Sequence, residues 1–262
     1  MRRPLVSVDT SLDRRWLEEE ARHDPIRHAY ARWDLDHHPT EVEFRVHLSG
    51  GVPTAYLLIW LGLRGVPVVH WVGDPGAREL LPHLPPRPLI AVVPELLAAE
   101  VADARGPAES HPILILHRPP ATPLPAPSTA AVRRLTVDDL PSLRALARDD
   151  EPLARAYVAT DPTAEPVWGA FDGARLVGVS RTQARLPDVW IVGGIYVQAE
   201  YRGRGLGRAL TSAAVRAAEA AGAEAVLYVR EDNPPARRVY DALGFTLFER
   251  KIWIDAGGGR RP

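Results

Sequence analysis

Along the chain, stretches in which apolar residues alternate with polar ones take turns with stretches in which they recur every three to four positions. Val42, Phe44, Val46 and Leu48 alternate with polar neighbours and predict a half-buried strand over 41–49. Gly50-Gly51 predicts a turn, and strands are expected at 54–61 and 66–72. A short helix at 74–84, a strand at 88–93, a helix at 94–104 and a closing strand at 113–117 complete the first half. Ahead of them, 11–35 reads as one or two helices, with Asp9 or Ser11 as cap and Pro25 as a break.

Residues 119–127 read Pro-Pro-Ala-Thr-Pro-Leu-Pro-Ala-Pro, a run that favours polyproline II. At ~3.1 Å per residue it reaches roughly 28 Å, enough to cross a small domain. The expected division is therefore a first domain over 1–118, a linker over 119–130 and a second domain over 131–262. The second begins with a strand at 131–135. A helix capped by Asp138 or Asp139 runs to about Ala147, and another covers 151–159. A hairpin of 166–171 and 176–182 turns at Asp172-Gly173.

The most informative stretch is 191–222, where the period changes from strand to helix. Apolar residues run to Val197, in spite of Gly193-Gly194, a pair that asks for a bulge or a close approach. Gly203, Gly205 and Gly207 follow, interleaved with Arg202, Arg204 and Arg208. From Leu206 the helical stripe is Leu206, Leu210, Ala213, Ala214, Ala217 and Ala221, with Gly222 as the stop. The first amides of a helix have no intrahelical partner and carry the positive end of its dipole. Glycines let a phosphate approach them, and arginines add charge. The stretch reads as a pyrophosphate cradle, with a tight strand-to-helix turn and solvated arginines as the alternative. It is not a Walker A loop, because the only lysine is Lys251. Leu210 stands where a dinucleotide fingerprint needs a small residue. A strand at 223–230, a helix at 235–243 and a last strand at 246–254 close the chain.

Composition narrows the function classes. A chain of 262 residues, 46% hydrophobic, supports one large or two small cores. A formal charge of −1 gives no global field for nucleic acid or an anionic membrane. No cysteine is present, which excludes disulfides, thiolate metal sites and an acyl-cysteine intermediate. The histidines show no metal-ligand spacing, so no metal is expected. The start, 1–10, has no apolar core of a secretory signal, and the most apolar run, 55–63, is too short to span a bilayer. A cytoplasmic location is expected.

After the strand at 223–230 the chain reads Asn233-Pro-Pro-Ala236-Arg-Arg-Val-Tyr240-Asp-Ala-Leu-Gly244-Phe245. This resembles the second signature of the GNAT superfamily of acyl-CoA N-acyltransferases, Asn-x-x-Ala-x-x-x-Tyr-x-x-x-Gly-Phe. Arg202, Gly205 and Gly207 match its pyrophosphate signature, Arg/Gln-x-x-Gly-x-Gly/Ala. The resemblance covers 131–254 and implies an α/β fold with a mixed sheet. It implies that Arg202, Gly203, Arg204, Gly205, Leu206, Gly207 and Arg208 hold the pyrophosphate of acetyl-CoA. It also implies that the amides of Ile195, Tyr196 and Val197 hold the thioester and pantetheine, beside Asn233. Tyr240 is then the acid for the leaving thiolate, and a bulge at Gly193-Gly194 opens the slot.

The order of elements around Trp71 repeats the order around Trp190, but Asp74-Pro-Gly stands where the cradle would be and Val101 where Tyr240 would be. The chain thus resembles two tandem GNAT-like domains, the first degenerate, as in mycothiol synthase and the glycine N-acyltransferases. The implied function is transfer of acetyl from acetyl-CoA to the amine of a small molecule, in a ternary complex, with the first half as one wall of the acceptor groove. The alternatives are a non-catalytic acyl-CoA sensor and an acetyltransferase for protein N-termini or lysines. Asp188, Glu200, Glu231 and Asp232 flank the implied slot, and none is assigned as general base. Acyl length and oligomeric state are open.

Overall fold

The computed structural model describes residues 10–61, 66–86, 88–106, 108–119, 123–124, 131–148, 162 and 165–257. The elements are α1 (Thr10–His23), α2 (Ala29–His37), β1 (Val42–Ser49), β2 (Val52–Trp60), β3 (Val68–Gly73), β4 (Ile90–Val93), α3 (Ala98–Arg105) and β5 (Glu109–Arg118). They continue with β6 (Ala131–Arg134), α4 (Leu140–Ala147), β7 (Val167–Asp172), β8 (Arg175–Arg185) and β9 (Val189–Val197). The last are α5 (Leu206–Ala220), β10 (Glu224–Arg230), α6 (Pro234–Ala242) and β11 (Thr246–Asp255). The polyproline segment at 119–127 lies almost wholly outside the described residues, as do the helix expected at 151–159 and residues 1–9 with the expected cap Asp9, while Ser11, the other expected cap, lies inside α1.

Two compact units are formed, one from residues 1–115, 230–232 and 249–262 and the other from 116–229 and 233–248. They differ from a cut at the proline-rich run, because the end of the chain belongs to the first unit. Ile252 pairs with Val93 and Ile254 with Ala91, antiparallel to β4. Ile252, Ile254 and Ala256 are buried there with Leu57, Val69, Trp71, Leu97 and Val101.

In the first unit β1–β2 and β2–β3 are antiparallel and β3–β4 is parallel. β2 is buried on both faces: Leu57 and Ile59 join that core, while Tyr56 and Leu58 pack with Leu17, Ala31, Phe44 and Val46. A strand covered on both sides reads as a continuous apolar run, which is why 55–59 lacks alternation. The helices at 11–35 break around Pro25, as expected. The short helix expected at 74–84 is instead a 3-10 helix over Arg78–His83, with Pro82 inside it. Asp74 Oδ1 accepts the Gly76 N–H at 2.7 Å, a turn that delays the helix, and Pro82 supplies no donor for a longer one.

In the second unit β6–β7, β7–β8 and β8–β9 are antiparallel and β9–β10 is parallel. The pairings of β7 to β10 therefore repeat those of β1 to β4, and the repeat seen in the pattern is a repeat of topology. Thr136, not Asp138 or Asp139, caps the α4 region: it forms a capping box with Asp139 as its N3 partner. Asp139 also binds Arg133 through two hydrogen bonds of 2.7 and 2.6 Å. The buried face of α5 is Ala209, Leu210, Thr211, Ala214, Val215 and Ala218, while Ala221 is exposed. An alanine-rich helix offers similar apolarity on several sides, so the expected stripe was rotated from the real one. Arg118, at the end of β5, is buried, donates to the Leu243 carbonyl at 2.8 Å and pairs with Glu219. It ties the end of α6 to α5.

Lys251 of β11 is buried in the first unit, and its Nζ donates to the Trp71 carbonyl at 2.9 Å. Burial lowers its pKa from 10.5 to about 8, against the attraction of Glu249. Below pH 8 folded and unfolded chains both carry the proton, and the cost of burying it is present in full. Between 8 and 10.5 the unfolded chain binds the proton that the folded one has released, so stability rises with pH. Denaturant titrations from pH 7.5 to 9.5 are expected to show this rise, and Lys251→Met is expected to flatten it. An equal slope in the variant would assign the rise to other groups.

Candidate functional site

The site is built at the far end of the β9–β10 pair. These strands are in parallel register only over Val189–Ile191 and Glu224–Val226, although β9 runs on to Val197 and β10 to Arg230. The cause lies on the other edge of β9. Val179 faces Tyr196 and Arg181 faces Gly193, so Gly194 and Ile195 together oppose Ser180. Gly194 has φ +59°, a left-handed conformation that side-chain-bearing residues enter at a cost, and the extra residue bends the strand. A second shift, at Gln183 on β8, restores the register towards Ala184 and Ile191. The bulge expected at Gly193-Gly194 is therefore present.

Beyond the bulge Ile195, Tyr196 and Val197 are half-buried, with Tyr196 and Val197 in register with Val179 and Gly178 of β8. Backbone groups on their other edge have no β10 partner in register, and a polar backbone edge seeks one. Immediately after β9 the chain makes a 3-10 turn, Ala199–Tyr201, and enters α5 through Gly205, whose φ is +79°. No side chain caps this helix. The first backbone bond into it is from Ala209 N–H to the Gly205 carbonyl, at 3.0 Å, so the amides of Leu206, Gly207 and Arg208 are not used by the helix. A Cβ placed on Gly203, Gly205 or Gly207 would meet nothing within 4 Å, so the approach to those amides is open.

The three arginines divide into two kinds. Arg202 Nε donates to the Val197 carbonyl at 3.0 Å and Arg204 to the Glu200 carbonyl at 3.1 Å, so both brace the turn. Tyr201 is the platform between them: Arg204 lies 4.9 Å and Arg175 5.6 Å from its ring centre. The signal for that role, an aromatic residue beside Arg202, is visible in the sequence but carries no distinctive spacing. Arg208 is exposed on the first turn of α5 and, among the described residues, has no partner.

Asn233 is the N-cap of α6, its Oδ1 accepting the Ala236 N–H at 3.2 Å, with Pro234 at the first helical position. On the same helix Tyr240 is buried, edge-on to Phe245 with ring centres 5.9 Å apart. Burial raises its pKa to about 12, so the phenol stays protonated at any physiological pH.

Three of the four acids considered as bases have arginine partners. The fourth, Asp188, precedes β9 at the end opposite Gly205, where its backbone carbonyl accepts Glu224 N–H at 2.8 Å. Glu200 is 3.3 Å from Arg175, Glu231 is 2.9 Å from Arg250, and Asp232 is 2.7 Å from Arg230. Among the described residues no group of three His, Asp or Glu could hold a metal ion, and no helix is long and apolar enough to cross a membrane.

The Acetyltransferase (GNAT) family model matches residues 130–245. The chain is similar to a mycothiol acetyltransferase of Corynebacterium glutamicum, 37% identical over 104 residues, which are 38% of this chain and 35% of that protein. It is also similar to one of Thermobispora bispora, 33% identical over 176 residues, 57% of this chain and 58% of that protein. The chain thus spans between about a third and somewhat over half of these relatives. Among solved structures, a Drosophila protein superposes with a TM-score of 0.71 at 15% identity, over 96% of this chain and 97% of its own. A tandem GNAT protein from the clavulanic acid biosynthesis pathway superposes with a TM-score of 0.55 at 21% identity, over 98% of each chain. These two likenesses establish the fold alone: a mixed α/β sheet with helices in tandem GNAT arrangement.

Gly207 gives the cleanest test of the cradle, because it is helical and open, whereas any side chain at Gly205 also strains the backbone. Gly207→Asp puts a carboxylate on the first turn, where it suits the helix dipole but repels a phosphate. The melting temperature of the variant alone is expected to be unchanged, while the upward shift given by coenzyme A is expected to vanish. An undiminished shift would remove the cradle from the cofactor site.

Proposed function

We propose that residues 130–245, which the Acetyltransferase (GNAT) family model matches, form a domain that transfers an acetyl group from acetyl-CoA to a primary amine of a small molecule. The observation that carries this reading is the strand edge at Ile195–Val197, opened by the Gly194 bulge and followed directly by the uncapped start of α5. The acetyltransferase names of the relatives support the reaction class. The unit of 116–229 and 233–248, which makes up most of the second domain expected over 131–262, carries the reaction. The first, over 1–118, is read as its degenerate counterpart, joined through 119–130, and the whole as a cytoplasmic enzyme.

In this reading the amides of Leu206, Gly207 and Arg208 bind the pyrophosphate, with the Arg208 side chain as added charge. Arg202, Gly203, Arg204 and Gly205 shape the turn. Ile195, Tyr196 and Val197 hold the pantetheine arm by their open edge, and an amide there donates to the acetyl carbonyl oxygen as it becomes an oxyanion. The acceptor nitrogen bonds to the carbonyl carbon, the carbon–sulfur bond breaks, and the sulfur leaves as a thiolate. Tyr240, protonated up to about pH 12, donates a hydrogen bond to that thiolate and helps return its proton. The nitrogen loses one proton, and the products are an N-acetyl amine and free coenzyme A. With no cysteine in the chain there is no acyl-cysteine intermediate, which favours direct transfer in a ternary complex.

A second reading, an acyl-CoA-binding module without turnover, is favoured by one observation: Glu200, Glu231 and Asp232 each have an arginine partner. The two readings separate at Tyr240. Tyr240→Phe keeps the ring against Phe245, so binding of acetyl-CoA is expected to persist while coenzyme A release with an amine acceptor falls ~10²-fold or more. The wild-type rate is expected to show no fall assignable to Tyr240 below about pH 12. Unchanged turnover in Tyr240→Phe would make this tyrosine a packing residue.

A further inference from the structure

One face of the β7–β8–β9 strands changes character beside the bulge. Val167, Leu176 and Val179 are buried against α4 residues Leu143 and Leu146, with Tyr196 packed on them. Two positions beyond Val179 on β8, and therefore on the same side of the sheet, stands Arg181. Its cross-strand partners are Val167 on β7 and Gly193 on β9. Gln183 lies over the same point, since a Cβ on Gly193 would come within 2.7 Å of its Oε1.

Glu165, just before β7, completes the group. Its Oε2 is 4.0 Å from Arg181 Nη1, close enough for attraction and too far for a hydrogen bond. That oxygen is shielded from solvent and, among the described residues, accepts no hydrogen bond, although the Glu165 side chain as a whole is 42% exposed. A buried carboxylate oxygen without a donor is costly, and such groups in native structures call for a ligand or a water.

The position gives the ligand its class. Along β9 the order is cradle, open edge at Ile195–Val197, bulge, and then the row Gly193–Arg181–Val167 with Glu165 at its end. If the cradle end of the slot takes the pyrophosphate and the open edge the thioester, the next place along the strand is where an attacking nitrogen must come from. At the β7 end of that row, two strands across from β9, is a carboxylate oxygen lacking a donor, and an alkylammonium supplies three.

We propose that Glu165 is the acceptor-binding carboxylate, taking the ammonium group of a primary amine on the row of the Gly193 bulge, with Arg181 fixing the carboxylate from the side. This rests on the reading of the second unit as an acetyltransferase and deepens it by naming the acceptor's handle. Glu165 is a positioning residue, so its loss acts on the acceptor rather than on acetyl-CoA.

The test uses the full chain with coenzyme A bound and n-butylammonium as probe, followed by backbone amide NMR. Butylammonium is expected to shift the amides of Arg181, Thr182 and Gly193, and n-butanol at equal concentration is not. Glu165→Gln is expected to abolish those shifts and Glu165→Asp to keep them, while the thermal shift with coenzyme A stays as in the wild type. Equal butylammonium shifts in Glu165→Gln, or shifts confined to other residues, would overturn the proposal. A Glu165→Gln chain that also loses the coenzyme A shift would overturn it too, since the residue would then serve the fold. In turnover with an amine found by thiol-release screening, Glu165→Gln is expected to raise the acceptor KM at least 10-fold with the acetyl-CoA KM unchanged. Wild-type chain that binds butylammonium at this row but transfers acetyl to no amine would sink the acetyltransferase reading and leave the amine site standing.

Discussion

The parallel ladder between β9 and β10 cannot continue past Ile191 and Val226, and the rest of the second unit is arranged around that stop. Gly194, in a left-handed conformation, puts two residues of β9 opposite one of β8 and turns the later part of the strand. Backbone amides and carbonyls are obligatory bonding groups, so an edge released from a ladder must find another partner. Some of this need is met within the chain, as when Arg202 takes the Val197 carbonyl. The amides of Leu206, Gly207 and Arg208 at the start of α5 are likewise not used by the helix. An edge and a helix start of this kind underlie the proposal of a ligand with amides at one end and phosphates at the other.

The first unit shows what the same pairings do when the edge is filled. Its parallel pair, β3–β4, also stops early, at His70 and Val92. There, however, the next carbonyl, that of Trp71, accepts the buried Lys251 amine, and the Trp71 indole N–H lies 3.4 Å from the Asp74 carbonyl. The turn that would cradle an anion holds a carboxylate instead, and Asp74 uses it on the Gly76 amide. Val101, fully buried, stands at the helical position corresponding to Tyr240 and brings no hydroxyl. In the first unit, side chains thus take up the Trp71 carbonyl and the Gly76 amide.

Local chemistry was legible in the sequence and partner choice was not. The glycine–arginine run, the Asn233 cap with its prolines and the bulge at Gly193-Gly194 follow from residues next to one another, and the structure has them where the pattern put them. The Thr136 cap was missed because Asp139 also suits a helix start, and only the reciprocal bonds reveal which residue caps. The pairing of Ile252 and Ile254 with β4 was beyond reach, because an apolar strand does not name its neighbour. Nor does sequence say which arginines are braced: Arg202 and Arg204 are held by carbonyls, and Arg208 alone of the three faces the solvent without a described partner. Glu165, Arg181 and Gly193 are 28 residues apart from end to end and become one row only once the bulged register is known.

Hydrogen exchange with and without acetyl-CoA addresses the open edge most directly, because the groups in question are backbone amides. Acetyl-CoA is expected to slow exchange at amides within Ile195–Val197 and at Leu206, Gly207 and Arg208, with little change at Trp71–Gly76 of the first unit. Slowing at Trp71–Gly76 with none at Ile195–Val197 would contradict the assignment of the slot to the second unit.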